Sequence, residues 1–241
     1  MPEMLLTLSG VNTHIGSYHI LQGVDFAVPR GELMMLLGRN GAGKTTTLRT
    51  ILGVWRASAG SIRLGEREIG RSDTHAIANM GIAYVPESMG IFSTLTVREN
   101  LSLAARSGTL DESRLERIFG FFPALRKFWF LPAGLLSGGQ KQMLAISRAM
   151  VEPRRLVLID EPTKGLAPSI INNLIEALRE LKRSDTTILM VEQNFHAARS
   201  LGDGVAVMDS GRIVHCGRMA DLAADEALQT RLLGLSLDSH Q

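Results

Sequence analysis

Short continuous apolar runs that end at a glycine or an acid, separated by stretches of helical periodicity, organise this chain. Leu33 to Leu37, Leu156 to Ile159 and Thr187 to Val191 show no polar alternation. A strand buried on both faces has that pattern, so they predict a parallel sheet covered by helices. Between the last two, Ile170, Ile171, Leu174, Ile175, Leu178 and Leu181 recur at helical spacing, with Asn172, Asn173, Glu176, Arg179 and Lys182 opposite, which predicts a covering helix. Leu5 to Val11, Val24 to Val28 and Ser61 to Leu64 are shorter strand-like pieces between Gly-containing turns, and predict an antiparallel β-lobe. From about Val97 to Leu135 the pattern is helical. There Phe119, Phe121, Phe122, Phe128, Trp129 and Phe130 crowd together, readable as a small local core or as a partner's docking groove. Val205 to Met208 and Arg212 to Val214, around Ser210-Gly211, predict a hairpin before a short helical tail.

Composition narrows the class. Of 241 residues, 45% are hydrophobic and 21% charged, enough for a substantial core and incompatible with a mainly disordered chain. Lys and Arg number 26 against 24 Asp and Glu, without basic blocks, which argues for a solvated surface and against nucleic acid as a partner. Cys216 is the only cysteine, so neither an internal disulfide nor a thiolate zinc cluster can form, and a reducing compartment is expected. The longest apolar run, Leu33 to Leu37, falls far short of the ~18 to 20 residues of a membrane span. The start, Met1-Pro2-Glu3, carries an acid where a secretory signal would be basic, so the expected location is the cytosol. His14, His19, His75, His196, His215 and His240 show no metal-ligand grouping.

The chemistry lies at the ends of the apolar runs. Gly38-Arg39-Asn40-Gly41-Ala42-Gly43-Lys44-Thr45 fits G-x-x-x-x-G-K-[ST] directly after one run and before a helical stretch from Thr46 to Leu52. Its glycines let backbone N–H groups turn toward phosphate oxygens, and the helix start adds a positive dipole end. Residues 38–46 are therefore the candidate nucleotide contacts, with Lys44 reaching the β- and γ-phosphates and Thr45 ligating Mg²⁺. Leu156 to Ile159 delivers Asp160 and Glu161 to the same kind of sheet edge. Asp160 is the expected Mg²⁺ ligand, and Glu161 is placed to activate the attacking water. Leu136-Ser137-Gly138-Gly139-Gln140 opens a further helix, as a second anion cradle or a plain N-cap.

The phosphate loop, the Leu136 to Gln140 signature and the Leu156 to Glu161 strand-acid motif, in that order, resemble the ATP-binding subunits of ABC transporters over nearly the whole chain. The resemblance implies an α/β P-loop ATPase with a mainly parallel sheet core, an N-terminal antiparallel β-lobe and a helical subdomain. It implies one domain over 1–241, with core and β-lobe at about 1–95 and 150–241 and the helical subdomain at about 96–149. It also implies a head-to-tail ATPase dimer, of two copies or with a paralogue. ATP would lie between one subunit's phosphate loop and the other's Ser137, Gly138, Gly139 and Gln140. Two membrane permease subunits and, indirectly, a solute-binding protein would complete the assembly, with this chain peripheral on the cytoplasmic side of the inner membrane.

Three departures from the general family pattern look like the importers of branched-chain or other hydrophobic amino acids, amides and urea. Glu87 stands at the usual Q-loop Gln, Gln193 at the usual switch His, and Ala167 at the usual D-loop Asp. Glu87 can still bind Mg²⁺ or its water. Gln193 can hydrogen-bond the γ-phosphate or water but carries no proton near neutral pH, which leaves Glu161 as the base beside Lys44 and Gln193. The family's adenine-stacking aromatic aligns with Ile15, with Tyr18 as the alternative. Tyr84, Glu87, Met89, Ile91 and Phe92 are the candidate contact with membrane subunits. The alternatives are an ATPase of a lipid or polysaccharide exporter and a soluble ABC ATPase outside transport.

Overall fold

A computed structural model describes residues 2–183 and 186–234, so His240 and the outer limits of the 1–241 domain lie outside the described residues. Two sheets form. The first pairs β1 (Met4–Ile15), β2 (Tyr18–Pro29), β4 (Ala59–Leu64) and β5 (Arg67–Glu68) in the order β2-β1-β4-β5, all antiparallel. β1 outruns the expected Leu5 to Val11 because its polar end pairs across a two-residue turn, Thr13 with Leu21 and Ile15 with Tyr18. Cross-strand hydrogen bonds hold a polar strand end that hydrophobic alternation does not reveal.

The second sheet runs β10-β9-β3-β8-β7-β6. β3 (Leu33–Leu37), β6 (Ile82–Val85), β7 (Leu156–Asp160), β8 (Thr187–Val191) and β9 (Gly204–Asp209) are parallel, and β10 (Arg212–Arg218) returns antiparallel in the expected hairpin. Every residue of β3, β7 and β8 is buried. Their unbroken apolarity follows, because Leu33, Met35 and Leu37 face one core while Met34 and Leu36 face a second one under the β-lobe. The C-terminal ends of β6, β7, β8 and β3 therefore lie along one edge, where open α/β sheets place ligands.

Helix α7 (Pro168–Arg183) buries Leu174, Ile175, Ala177, Leu178 and Leu181 on the sheet, as its periodicity requires. The helical lobe holds α3 (Val97–Ser102), α4 (Glu112–Phe121), α5 (Pro123–Lys127) and α6 (Gly138–Met150). Each start has a chemical cause, and that of α5 is Pro123, whose fixed φ and missing N–H suit a first helical position. Thr96 and Glu99 close a capping box on α3, Asp111 accepts from Arg114 N–H at 2.9 Å, and Ser137 and Gln140 box the start of α6. The aromatic cluster is mostly core: Phe122 is fully buried, and Phe119 meets Trp129 edge-on at 5.2 Å. Phe130 is the exception, 71% exposed. Among the described residues no helix is long and apolar enough to cross a membrane.

Candidate active site

Helix α1 (Lys44–Ile51) begins directly after the glycine-rich loop that leaves β3. All three glycines of the loop hold a positive φ, Gly41 at 80°. A Cβ at Gly38 would stand 2.2 Å from the Met208 carbonyl oxygen, and Gly43, at φ 111°, caps α1 in the left-handed region. Ala42 is buried, so it offers backbone only. Lys44 is 5% exposed and curls back to donate to the carbonyls of Gly38 at 2.8 Å and Arg39 at 3.0 Å. Burial pulls its pKa below the ordinary lysine range, against the opposing pull of the Glu161 and Asp160 charges.

Asp160 and Glu161 end β7 yet aim apart. Asp160 is 1% exposed and accepts from Thr45 Oγ1 at 3.1 Å and from the Tyr84 hydroxyl at 3.3 Å. Burial raises its pKa above the usual carboxylate range. Tyr84, expected to face membrane subunits, instead spends its hydroxyl on Asp160, and burial and that charge push its pKa up to about 12. Glu161 takes a left-handed backbone, φ 45°, which is rare outside glycine and is found where surrounding structure fixes a functional side chain. Its Oε1 accepts from Gln193 Nε2 at 2.5 Å and lies 3.7 Å from Lys44 Nζ. Gln193 also donates to Asn40 Oδ1 at 2.7 Å, joining the end of β8 to the phosphate loop. Beneath it, Glu192 is 2% exposed and accepts from the N–H groups of Thr163, Gln193 and Asn194.

Lys44, Thr45, Thr46, Asn40, Glu87 and Glu161 line one open cavity of about 320 Å³. Arg39, Asn40 and Gln193 line a second cavity, of about 320 Å³, that Phe195 and Leu233 share. The hairpin residue in the first cavity is Ile20; Ile15 pairs with Tyr18 at the hairpin tip, where Tyr18 is 73% exposed. Glu87, expected near a metal, meets the ammonium of Lys164 at 2.6 Å. No motif marks Lys164, Tyr84 and Asn40 as partners of Glu87, Asp160 and Gln193, because each contact joins residues distant along the chain.

The donor set suits Mg²⁺. Thr45, which lines the cavity, and Asp160 offer a hydroxyl and a carboxylate oxygen already in hydrogen-bonding contact. Among the described residues no cluster of three or more His, Cys, Asp or Glu could hold a metal alone. A small number of protein oxygens completed by phosphate and water is the arrangement Mg²⁺ favours.

The signature opens α6 from a distinct loop. Ser137 Oγ accepts from Gln140 N–H at 3.4 Å, and Gln140 Oε1 accepts from Ser137 N–H at 2.9 Å. The serine keeps its O–H free to donate. A Cβ on Gly139 would press Ile170 at 3.1 Å, whereas one on Gly138 would meet nothing within 4 Å, so internal packing explains only the second glycine.

Residues 21–164 match the family described as ABC transporter. The high-affinity branched-chain amino acid transport ATP-binding protein BraG of Pseudomonas aeruginosa is 38% identical over 232 residues, 95% of this chain and 100% of that protein. The probable branched-chain amino acid transport ATP-binding protein LivF of Archaeoglobus fulgidus is 34% identical, over 96% of this chain and 99% of that one. Among solved structures, an ATP-binding subunit of an ABC transporter superposes with a TM-score of 0.80 at 31% identity, covering 97% of this chain and 96% of that one. An ATP-binding cassette in its ADP conformation shares the fold at a TM-score of 0.80. With a phosphate loop, a strand-borne acid pair and a capped Ser-Gly-Gly helix start in one fold, the chain belongs to the ABC transporter family of ATP-binding proteins.

Proposed function

We propose that this chain hydrolyses ATP to energise an importer of branched-chain or other hydrophobic amino acids, or related amides such as urea. The observation that carries the chemistry is Glu161, held between Gln193 and Lys44 at the mouth of the phosphate loop. The importer assignment is supported by end-to-end similarity to BraG and LivF.

The backbone N–H groups of residues 38–45 bind the phosphates, and Lys44 exchanges its two carbonyl contacts for β- and γ-phosphate oxygens. Thr45 and Asp160 would hold Mg²⁺, with Glu87 as a further candidate, and the ion supplies neutralisation of charge on the phosphate oxygens when bound. Gln193 orients a water, Glu161 accepts its proton, the water oxygen attacks the γ-phosphorus, and the bond to ADP breaks. Glu161 holds the proton as phosphate leaves.

Ser137 caps α6 and Gly138 and Gly139 open it, a helix start separate from the phosphate loop, so their donors serve a γ-phosphate presented by a second ATPase subunit, either a copy or a paralogue. The bare outer side of Gly138 suits such an approach. Arg148 ties the segment after Glu87 to the signature helix, donating to the Gly90 carbonyl while its guanidinium lies 5.3 Å over the Phe92 ring. Phe92 is 47% exposed and, with Met89 and Ile91, is the proposed contact for the permease pair at the cytoplasmic face of the membrane. Gln193→Ala should lower ATP turnover by about tenfold, the worth of one hydrogen bond to a charged group, with little change in ATP affinity. Unchanged turnover would remove Gln193 from the mechanism.

A further inference from the structure

Glu87 poses an electrostatic problem in a site for a polyanion. It lines the same cavity as Lys44 and Thr45, so with Asp160 and Glu161 it adds a third carboxylate beside the place of a triphosphate. The structure places one further cation there. Lys164 follows Glu161 by three residues, and a turn in which Lys164 N–H donates to the Glu161 carbonyl at 3.3 Å folds its side chain back over the cavity. Its ammonium stands 2.6 Å from Glu87 Oε1 and 3.6 Å from Glu161 Oε2. It thus bridges the ends of β6 and β7, two neighbouring strands.

As a stabilising ion pair this contact counts for little, because Lys164 is 59% exposed and Glu87 45%. Its weight falls on the ligand. A carboxylate left unpaired in the cavity repels incoming phosphate, and a lysine bonded to it cancels that field at short range.

We propose that Lys164 is a positioning residue that neutralises Glu87 and so permits a triphosphate to bind beside an acid at this position. The inference rests on the ATPase reading and adds to it a residue outside the sequence motifs. The lysine acts through Glu87, and its value depends on that acid being present. In a variant without the acid, the lysine becomes dispensable.

The test is a titration of purified full chain with a fluorescent ATP analogue at low ionic strength, with Mg²⁺ and separately with EDTA. Lys164→Met is expected to weaken binding about fivefold, the upper end for an exposed charge pair, and Lys164→Arg to retain it. In EDTA, where a metal-holding role of Glu87 does not enter, adding Glu87→Gln to Lys164→Met should bring affinity back to within about twofold of the wild type measured in EDTA, because the two changes are coupled and not additive. The differences should shrink at high salt. Wild-type affinity in Lys164→Met, or a loss in EDTA that Glu87→Gln does not recover, overturns the inference while the ATPase reading stands. A wild-type chain that binds no ATP overturns both.

Discussion

Glu161→Gln should lower the turnover of ATP by about 10²- to 10⁴-fold, the usual contribution of a positioned general base. The substitution keeps the side chain's size and its capacity to accept from Gln193, but an amide cannot take a proton from water. Its effect on binding should be small and favourable, because the carboxylate 3.7 Å from Lys44 competes with phosphate for that ammonium. The strained φ of 45° at this residue belongs to the backbone and stays in the variant, so the comparison isolates the carboxylate. Phosphate release and nucleotide affinity measured on the same preparation check both halves. Turnover within about threefold of wild type would assign the proton elsewhere, since that is less than one hydrogen bond to a charged group is worth.

Phe122→Ala should destabilise the chain by about 3 to 5 kcal/mol, the range for removing a fully buried aromatic ring. Phe122 is 0% exposed at the junction of α4 and α5, in the core that also contains Ile118, Leu125 and Leu144. The ring thereby holds the helical lobe that carries the signature. Urea unfolding followed by tryptophan fluorescence in a Trp55→Phe background, where Trp129 of the same lobe is the one emitter left, reads the change. Phe130→Ala is the internal control: at 71% exposure it should move stability by less than about 0.5 kcal/mol, as surface substitutions do. Equal losses for the two would mean that the aromatic cluster packs differently.

Much of this architecture is legible in the sequence because burial leaves a periodic trace. β3 and β8 match their apolar runs residue for residue, and α7 buries the stripe its spacing marks. Phe130 and Phe122 were inseparable by pattern, since both are aromatic and only packing decides which turns inward. The polar extension of β1 to Ile15 was equally hidden, because backbone pairing holds it. At the site, the phosphate loop and acid pair announce themselves by short-range spacing. The contacts that join them do not: Tyr84 reaches Asp160 across 76 residues, Gln193 reaches Asn40 across 153, and Lys164 reaches Glu87 across 77. Such pairs arise from strand order, and strand order is not written locally.

The account is tested most directly by initial-rate phosphate release from the purified wild-type chain supplied with ATP, with Mg²⁺ and then with EDTA. It predicts steady release with Mg²⁺ that stops when the ion is chelated, because the cations lining the phosphate cavity, Lys44 and Lys164, each already face a carboxylate and leave the charge of a triphosphate largely uncompensated. Binding of ATP without release under either condition, by a chain that light scattering shows to be dimeric with ATP, would contradict a hydrolytic role for Glu161 and leave a nucleotide-binding module in its place.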